Sequence, residues 1–267
     1  DWVVVERDFP ADGGRVRKLL LDLGNLEIVE EKTREAANYA TLGVEDVTSA
    51  TSGGTKLEVV TPSKTFALIV GKPSGTKSVY VRAVGEQQSL LAAPQVTADS
   101  DPKRWIERTV LDIPQDRIRQ VDVKPATGPA YKVSREKKEQ TDFTVSAVPK
   151  GRELSSPSAA NPLAGTLAAF TLDDVRRAPE NAPEATEKVT YQTFDGLQLV
   201  LTGHKDGDRR YVTVAATSTA KETAEEAQKL DAKVKGWELE IPGYKYDSIF
   251  RPVEELLAPK PEPAKKT

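Results

Sequence analysis

The chain has 267 residues, of which 38% are hydrophobic and 30% charged, so it can bury a sizeable core in two lobes or in one elongated double domain. Its 38 Lys and Arg and its 41 Asp and Glu give a net charge of −3 and are interspersed, which excludes the basic face typical of nucleic-acid-binding proteins. Cysteine is absent, which excludes disulfides and thiolate catalysis, and no apolar run approaches the roughly 18 residues that span a bilayer.

The sequence contains an internal duplication. A shift of 131 positions superposes two apolar patterns without a gap, namely Phe66, Leu68, Val70, Tyr80 and Val81 on Leu197, Leu199, Leu201, Tyr211 and Val212. Both stretches alternate as strands do and carry turn-forming loops at 72–77 and 203–208. The pattern predicts an α+β fold of two tandem copies of a mixed unit, with largely antiparallel sheets and short packing helices. Copies this long and this few favour a duplicated domain over a solenoid.

The first copy, residues 1–112, is predicted to begin with a strand at 2–5 that opens on an aromatic residue. A helix follows, with Asp12 as its N-cap and Gly24 as a left-handed C-cap. A further strand then begins near Leu26 and leads towards the hairpin.

The two copies are predicted to end alike. In each, a short strand closes on a proline, Pro94 or Pro242, and a terminal helix follows, over 102–111 or 247–257.

The second copy, residues 113–258, carries two strands that the first has no room for, at 117–123 and 130–134. The chain begins at Asp1 without an initiator Met, so we expect a processed or trimmed chain whose first copy lacks these strands. The alternative is that the second copy gained a hairpin. A short helix follows in the second copy, with Asn161 as its expected N-cap.

Two segments stand outside the duplicated plan. Residues 219–235 are rich in Ala, Glu and Lys and predict a helix that ends at Gly236. Its apolar stripe comprises Ala224, Ala227, Leu230 and Val234. This stripe is expected to dock on its own sheet, with a partner protein as the alternative. The tail, residues 259–267, has nothing to bury and is expected to be disordered.

Each candidate for catalytic chemistry has a simpler interpretation. His204 is the only histidine, and the pattern places it in a hairpin loop beside Lys205. Ser134 and Lys137 have the S-x-x-K spacing of acyl-enzymes, but they close a strand and enter a charged turn instead of opening a helix.

Candidates for ion and phosphate binding are equally weak. Residues 206–208 (Asp-Gly-Asp) lack the other ligands of a calcium loop, and the glycine pairs 13–14 and 53–54 lack the spacing and the Lys of a P-loop. We expect Asp173 and Asp174 to form a solvated strand end. We therefore expect no catalytic residue, no cofactor and no metal ion, and a protein that is not an enzyme.

Several strings resemble a known bacterial family. They are FPAD at 9–12, IVEEKT at 28–33, YATLGVED at 39–46, NPL at 161–163, DDV at 173–175, GW at 236–237 and YKYD at 244–247. They occur in order over nearly the whole chain and resemble the family called domain of unknown function 4340. The family has no established activity and no catalytic residues that could be transferred to this chain.

The resemblance implies a membrane-anchored protein with its domain on the periplasmic side of the bacterial inner membrane, the anchor being absent from this chain. It also implies transporter subunits as partners, because such proteins are often encoded beside ABC-transporter components of the gliding-motility type. We therefore expect a non-enzymatic accessory or scaffold domain. The alternatives are a small-molecule or glycan binding module, with Trp2, Trp105 and Trp237 stacking in a cleft between the copies, and a hydrolase.

Overall fold

The computed structural model describes residues 1–48, 51–179 and 185–259. Helices account for 20% and strands for 37%, so the chain is an α+β protein with mostly antiparallel sheets and a few short helices. Its contacts divide it into two compact units, unit 1 (Asp1–Glu107) and unit 2 (Arg108–Thr267). Of the tail expected to be disordered, residues 260–267 lie outside the described residues.

Unit 1 is built around one antiparallel sheet. Its elements are β1 (Val3–Val4), β2 (Phe9–Pro10), α1 (Gly13–Gly24), β3 (Glu27–Glu31), α2 (Tyr39–Leu42), β4 (Thr55–Val60), β5 (Thr65–Ser74), β6 (Ser78–Ala83) and β7 (Ser89–Ala93). The five-stranded sheet has the order β3-β7-β6-β5-β4, and β1 pairs with β2 separately. Strands β3 and β4 are therefore the two edges of the sheet.

Unit 2 contains a larger antiparallel sheet. Its elements are β8 (Thr109–Leu111), β9 (Ile118–Lys124), β10 (Tyr131–Ser134), β11 (Thr144–Val145), α3 (Asn161–Ala164), β12 (Phe170–Thr171), β13 (Asp174–Arg177), β14 (Glu187–Thr193), β15 (Leu197–Asp206), β16 (Arg209–Ser218), α4 (Ala224–Val234), β17 (Trp237–Glu240) and α5 (Gly243–Ile249). Eight strands form the order β11-β10-β9-β14-β15-β16-β17-β13, and β12 pairs with β8. The expected strands at 117–123 and 130–134 are confirmed as β9 and β10.

The core of unit 2 follows from strict alternation along its long strands. On β15, Leu197, Leu199 and Leu201 are fully buried, whereas the residues between them face the polar side of the sheet. The apolar face is covered by short helices, with α4 and α5 on β16 and α3 on β9. One face of the sheet is thus packed and the other is polar.

Unit 1 packs both faces of its sheet, although less completely. One face carries a cluster of buried aliphatic residues, with Leu19 and Leu23 of α1 against it. The other face buries Ile69 beneath Tyr39 and Val44, which belong to the segment that connects β3 to β4. No residue of α1 is fully buried, so this helix covers its face only in part.

The two sheets share an order of five strands. The order β3-β7-β6-β5-β4 in unit 1 has its counterpart in β13-β17-β16-β15-β14 in unit 2, and every neighbouring pair is antiparallel in both. The hairpin registers differ, however. Leu68 pairs with Ala83, whereas Leu199 pairs with Ala216 and not with Val214, which lies 131 positions after Ala83. The ungapped correspondence therefore fails across the hairpin tip, where β5 carries a bulge.

Helix ends confirm one capping prediction and contradict two. The Asp12 carboxylate accepts from the N–H groups of Gly14 and Arg15, as an N-cap does. Gly24 is not a left-handed cap, because α1 ends on Asn25, whose φ is −100°. Asn161 is not an N-cap: its side chain accepts from the Phe143 N–H and donates to Asp142, so it ties two segments together instead.

The predicted terminal helices are the largest error in secondary structure. Residues 102–111 form a short 3₁₀ turn, Pro102–Arg104, and then β8, because Val110 and Leu111 are buried where β8 pairs with β12. The helix expected over 247–257 is two pieces, α5 and a 3₁₀ turn at Val253–Leu256. Pro252, which precedes the second piece, has no N–H to continue α5.

The helix expected over 219–235 is confirmed in a shorter form, as α4. It packs on β16 of its own sheet and buries Ala227 and Val234, while Ala224 is exposed. Gly236 follows it with φ of +79°, a left-handed conformation that glycine adopts without strain.

Candidate functional site

His204 lies within β15 and not in the hairpin loop that the sequence predicted. The turn is Gly207-Asp208, and His204 pairs across the sheet with Tyr211, on which its ring stacks at 5.4 Å. Its Nδ1 is 3.3 Å from Glu238 Oε1 and its Nε2 is 3.5 Å from Arg176 Nη2. Both ring nitrogens therefore face side chains of one charged cluster, which fixes the ring within the sheet.

Glu238 is the centre of that cluster and was not singled out by the sequence. It is 1% exposed, and its Oε2 accepts from Arg176 Nε at 2.6 Å. The Arg176 guanidinium also contacts Asp206 at 3.0 Å and lies 3.8 Å above the Tyr211 ring. A guanidinium that binds two carboxylates and stacks on an aromatic ring is a typical structural anchor for a buried carboxylate.

Ser134 and Lys137 lie at the end of β10 and in the turn that follows it. Ser134 ends β10, and the residue after it, Arg135, is buried. The Arg135 guanidinium donates to five main-chain carbonyls, those of Gln115, Asp116, Ile118, Lys138 and Gln140. The charged turn is thus held by its arginine.

The acidic candidates lie at strand ends. Gly207 and Asp208 form the β15–β16 turn that the sequence predicted, and Asp206 is the last residue of β15. Asp173 pairs with Arg108 at 2.8 Å. Asp174 is not solvated: it is buried, and its carboxylate accepts from the Val175 N–H. The strand they begin, β13, is nevertheless an edge of the sheet, as expected.

Metal-binding geometry is absent from the part of the chain that the structure describes. Within residues 1–48, 51–179 and 185–259, no three His, Asp or Glu side chains converge as they would around a metal ion.

The string YATLGVED has a structural role in unit 1. It forms α2 and the turn after it, and it crosses the sheet in close backbone contact. A Cβ atom on Gly54 would lie 2.2 Å from the Gly43 carbonyl oxygen, and one on Gly71 would lie 2.5 Å from that of Leu42. These glycines of the sheet therefore admit the crossing segment.

Arg82 of β6 binds the same segment. It is 4% exposed, and it donates to the carbonyl of Val44 and to the carboxylate of Asp46, while its guanidinium lies 4.6 Å from the Tyr39 ring centroid. Lys72 adds hydrogen bonds to the carbonyls of Ala40 and Thr41 at the end of α2. The string at 39–46 is thus held against the sheet by Arg82 and Lys72.

Unit 1 contains an apolar groove between β1 and β4. Its volume is about 540 Å³, and its lining includes Trp2, Val5, Val16, Leu57 and Trp105. Trp2 is 58% exposed, whereas Trp105 is half-buried and donates its indole N–H to the Asp99 carbonyl. Of the tryptophans considered for ligand stacking, Trp237 is buried in unit 2 beneath Arg177.

A second apolar surface lies at the opposite edge of the same sheet. All five residues of β3 are exposed, including Ile28 at 65% and Val29 at 58%. Leu20 and Leu21 of α1 are exposed too. We call strand β3 with its exposed Ile28 and Val29 the β3 edge. The sequence predicted a strand here but did not single out this exposed apolar pair.

Comparison with known proteins identifies a family but no function. A family model described as a domain of unknown function, DUF4340, matches residues 2–193. No curated protein and no solved structure matches the chain. Among the described residues, none of the helices is long and apolar enough to cross a membrane.

Proposed function

Because the chain belongs to the DUF4340 family, which is defined by a domain of unknown function, we propose its function from its surfaces: it is a non-enzymatic accessory or scaffold domain that binds another protein. The observation that carries this proposal is the β3 edge. An edge strand presents unpaired backbone groups, and proteins usually protect such edges with charges, prolines or covering elements. Three of the five residues of β3 are glutamates, but the edge also exposes the apolar side chains of Ile28 and Val29.

The chemistry of the β3 edge suits an extended partner segment. A strand that adds to β3 would satisfy its outward N–H and C=O groups and would bury Ile28 or Val29 in the same step. The neighbouring Glu27, Glu30 and Glu31 make this edge acidic, so basic residues in the partner segment would favour its binding.

We further propose that the partner is a subunit of an ABC-type transporter and that the domain acts on the periplasmic side of a bacterial inner membrane, held by an N-terminal anchor. This part rests on the family resemblance, through the string at 39–46 and the others that accompany it. According to this proposal, the protein that binds the β3 edge is a membrane protein.

The internal duplication is a proposal at the level of architecture. The shared order of five strands supports it, as do two matching bridges: Ala11 pairs with Ile106 in unit 1, and Leu154 pairs with Leu257 in unit 2. Each bridge joins the segment before the first helix of a unit to the end of that unit.

The functional proposal is tested by site-specific photo-crosslinking in membranes that contain the full-length protein. A crosslinker at Ile28 or Val29 is expected to capture a transporter subunit, and one at Val84, an exposed apolar residue outside β3, is the matched control. Equal capture from all three positions, or capture from Val84 alone, would contradict the proposal. A ligand-dependent shift in melting temperature without any crosslink would favour a small-molecule binding module.

A further inference from the structure

The groove of unit 1 has an open strand on one side. Strand β4 ends the sheet order, so its outer backbone groups have no neighbouring strand among the described residues. Beyond β4, the Thr61 N–H donates to the Lys64 carbonyl, which places a hydrogen-bonded pair at 61 and 64. Since such pairs alternate along an antiparallel ladder, Lys56, Glu58 and Val60 direct their N–H groups away from β5, and Lys56 itself lines the groove.

The opposite wall of the groove is β1, a short strand that, among the described residues, pairs only with β2. Val3 and Val5 are exposed there, at 52% and 85%. The groove therefore lies between two strand edges, and its floor is apolar, with Val16, Leu19 and Leu57.

Unit 2 shows what occupies the equivalent place. Strand β14 is the counterpart of β4 in the shared strand order, and it is followed by β9, β10 and β11. Strand β11 is the counterpart of β1, since both precede the segment that makes the bridge and the first helix of the unit. The hairpin β9–β10 thus fills the space between β14 and β11.

We propose that the groove of unit 1 is the binding site for a two-stranded antiparallel hairpin, which pairs with β4 on one side and β1 on the other, and that the residues directly preceding Asp1 in the full-length polypeptide form it. The inference rests on the proposed duplication. In unit 2 the hairpin precedes β11 directly in the chain, beginning 26 positions before it and ending ten positions before it. The same connectivity assigns the groove to a segment in the same chain.

The strands beside the hairpin determine which of its positions must be apolar and which polar. On β9, Val121 and Val123 are buried and pair with Tyr191 and Val189 of β14, so apolar residues alternate on the covered face. The strand that joins β4 must likewise place apolar residues beside Leu57 and Val59 and polar residues beside Lys56 and Glu58. A helix or an uninterrupted apolar segment does not meet this requirement.

The test is hydrogen exchange on two proteins, residues 1–267 and the same chain with its 30 preceding natural residues. In the longer protein, the amides of Lys56, Glu58 and Val60 are expected to exchange at least tenfold more slowly, and Trp2 fluorescence should shift to the blue as the groove is covered. Unchanged exchange at these three amides in the longer protein would overturn the proposal. Slowing of these amides only when a separate protein is added would overturn the assignment to the same chain.

Two variants at one position make the test specific. Glu58→Pro removes an N–H that the hairpin requires, whereas Glu58→Ala keeps it. In the longer protein the proline variant should abolish the slower exchange at Lys56 and Val60, and the alanine variant should preserve it. The duplication and the hairpin fail in different ways. A different strand order in one of the two sheets would reject the duplication. If both sheets keep the shared strand order but the β4 edge stays open in the longer protein, the hairpin alone is rejected.

Discussion

Two buried arginines, Arg82 and Arg135, hold irregular segments against the sheets by the same means. Each guanidinium donates to several main-chain carbonyls and stacks on an aromatic ring, Tyr39 for Arg82 and Phe143 for Arg135. A buried carbonyl without a donor costs free energy, so one arginine can stabilise several loop residues at once. The planar, five-donor geometry of the guanidinium makes arginine specific for this role.

Replacing Arg135 tests this role directly. Arg135→Lys keeps the charge but loses the fork of donors, and it should lower the free energy of unfolding by about 2 kcal/mol, because buried carbonyls lose their partners. Arg119→Lys, the same change on an exposed arginine of β9, should stay within about 0.5 kcal/mol. Urea denaturation measures both, and equal effects would show that Arg135 does not organise the turn.

Asp195 makes stability depend on pH. Burial opposes ionisation of its carboxyl, but hydrogen bonds from Thr193 and Arg117 outweigh this effect, so the pKa of Asp195 is lowered. A lowered pKa stabilises the fold at pH values above the unfolded pKa of about 4, and that stabilisation is lost as the pH falls through the folded value.

Asp195→Asn should therefore lower stability at pH 7 and make the loss of stability below about pH 4 less steep. Asp208→Asn, on the exposed β15–β16 turn, is the control. Denaturation curves at pH 7, 5 and 3 give the comparison, and an unchanged acid slope in Asp195→Asn would refute the assignment.

At the scale of elements, the segment that connects β3 to β4 depends on glycines that allow a particular backbone conformation and a close contact. Its turn needs Gly43 at φ of +70°, and its contact with the sheet needs glycine at 54 and 71. The segment covers Ile69, so one face of the unit 1 sheet is buried by a nearly irregular piece of chain.

Gly71→Ala should be destabilising because the new Cβ would meet the Leu42 carbonyl at 2.5 Å and Val44 at 2.8 Å, which forces the backbone apart. We expect a loss of about 1–3 kcal/mol in the free energy of unfolding. Gly13→Ala is the matched control, since a Cβ there meets nothing within 4 Å. If both variants melt alike, the close contact does not exist in solution.

Helix α4 could stabilise the fold or bind a partner, and a double substitution distinguishes these two roles. Ala227→Asp with Leu230→Asp places two carboxylates against β16, and we expect a loss of more than about 2 kcal/mol, because a buried charge has no partner there. Ala224→Asp with Ala232→Asp, on exposed positions of the same helix, is the control. A normal melt of the first double variant together with lost biological activity would indicate that α4 binds a partner.

At the scale of the whole molecule, the proposed duplication predicts a specific superposition in an experimental structure. Strands β3 to β7 should superpose on β13 to β17 in the same order and direction, provided that the second hairpin is allowed its two additional residues. A crystal structure at side-chain resolution decides this. Different connections between the strands of the two sheets would disprove the duplication.

The sequence by itself determined the features that depend on neighbours in the chain. Alternation gave β15 and β16 their buried faces, the Asp12 carboxylate could cap only the helix that follows it, and Gly207-Asp208 set a local turn. Of the candidate site residues, Ser134 ends its strand as the sequence predicted, whereas His204 lies in a strand and not in the predicted loop.

Tertiary structure decided what depends on partners far along the chain. Residues 109–111 are a strand because β12, some sixty residues later, pairs with them, and local periodicity carries no information about that partner. His204 became a strand residue because Arg209 and Arg210 continue the ladder beyond it. Glu238, Arg82 and Arg135 were not singled out for the same reason: a charged residue is expected at the surface until packing supplies the partners that allow its burial.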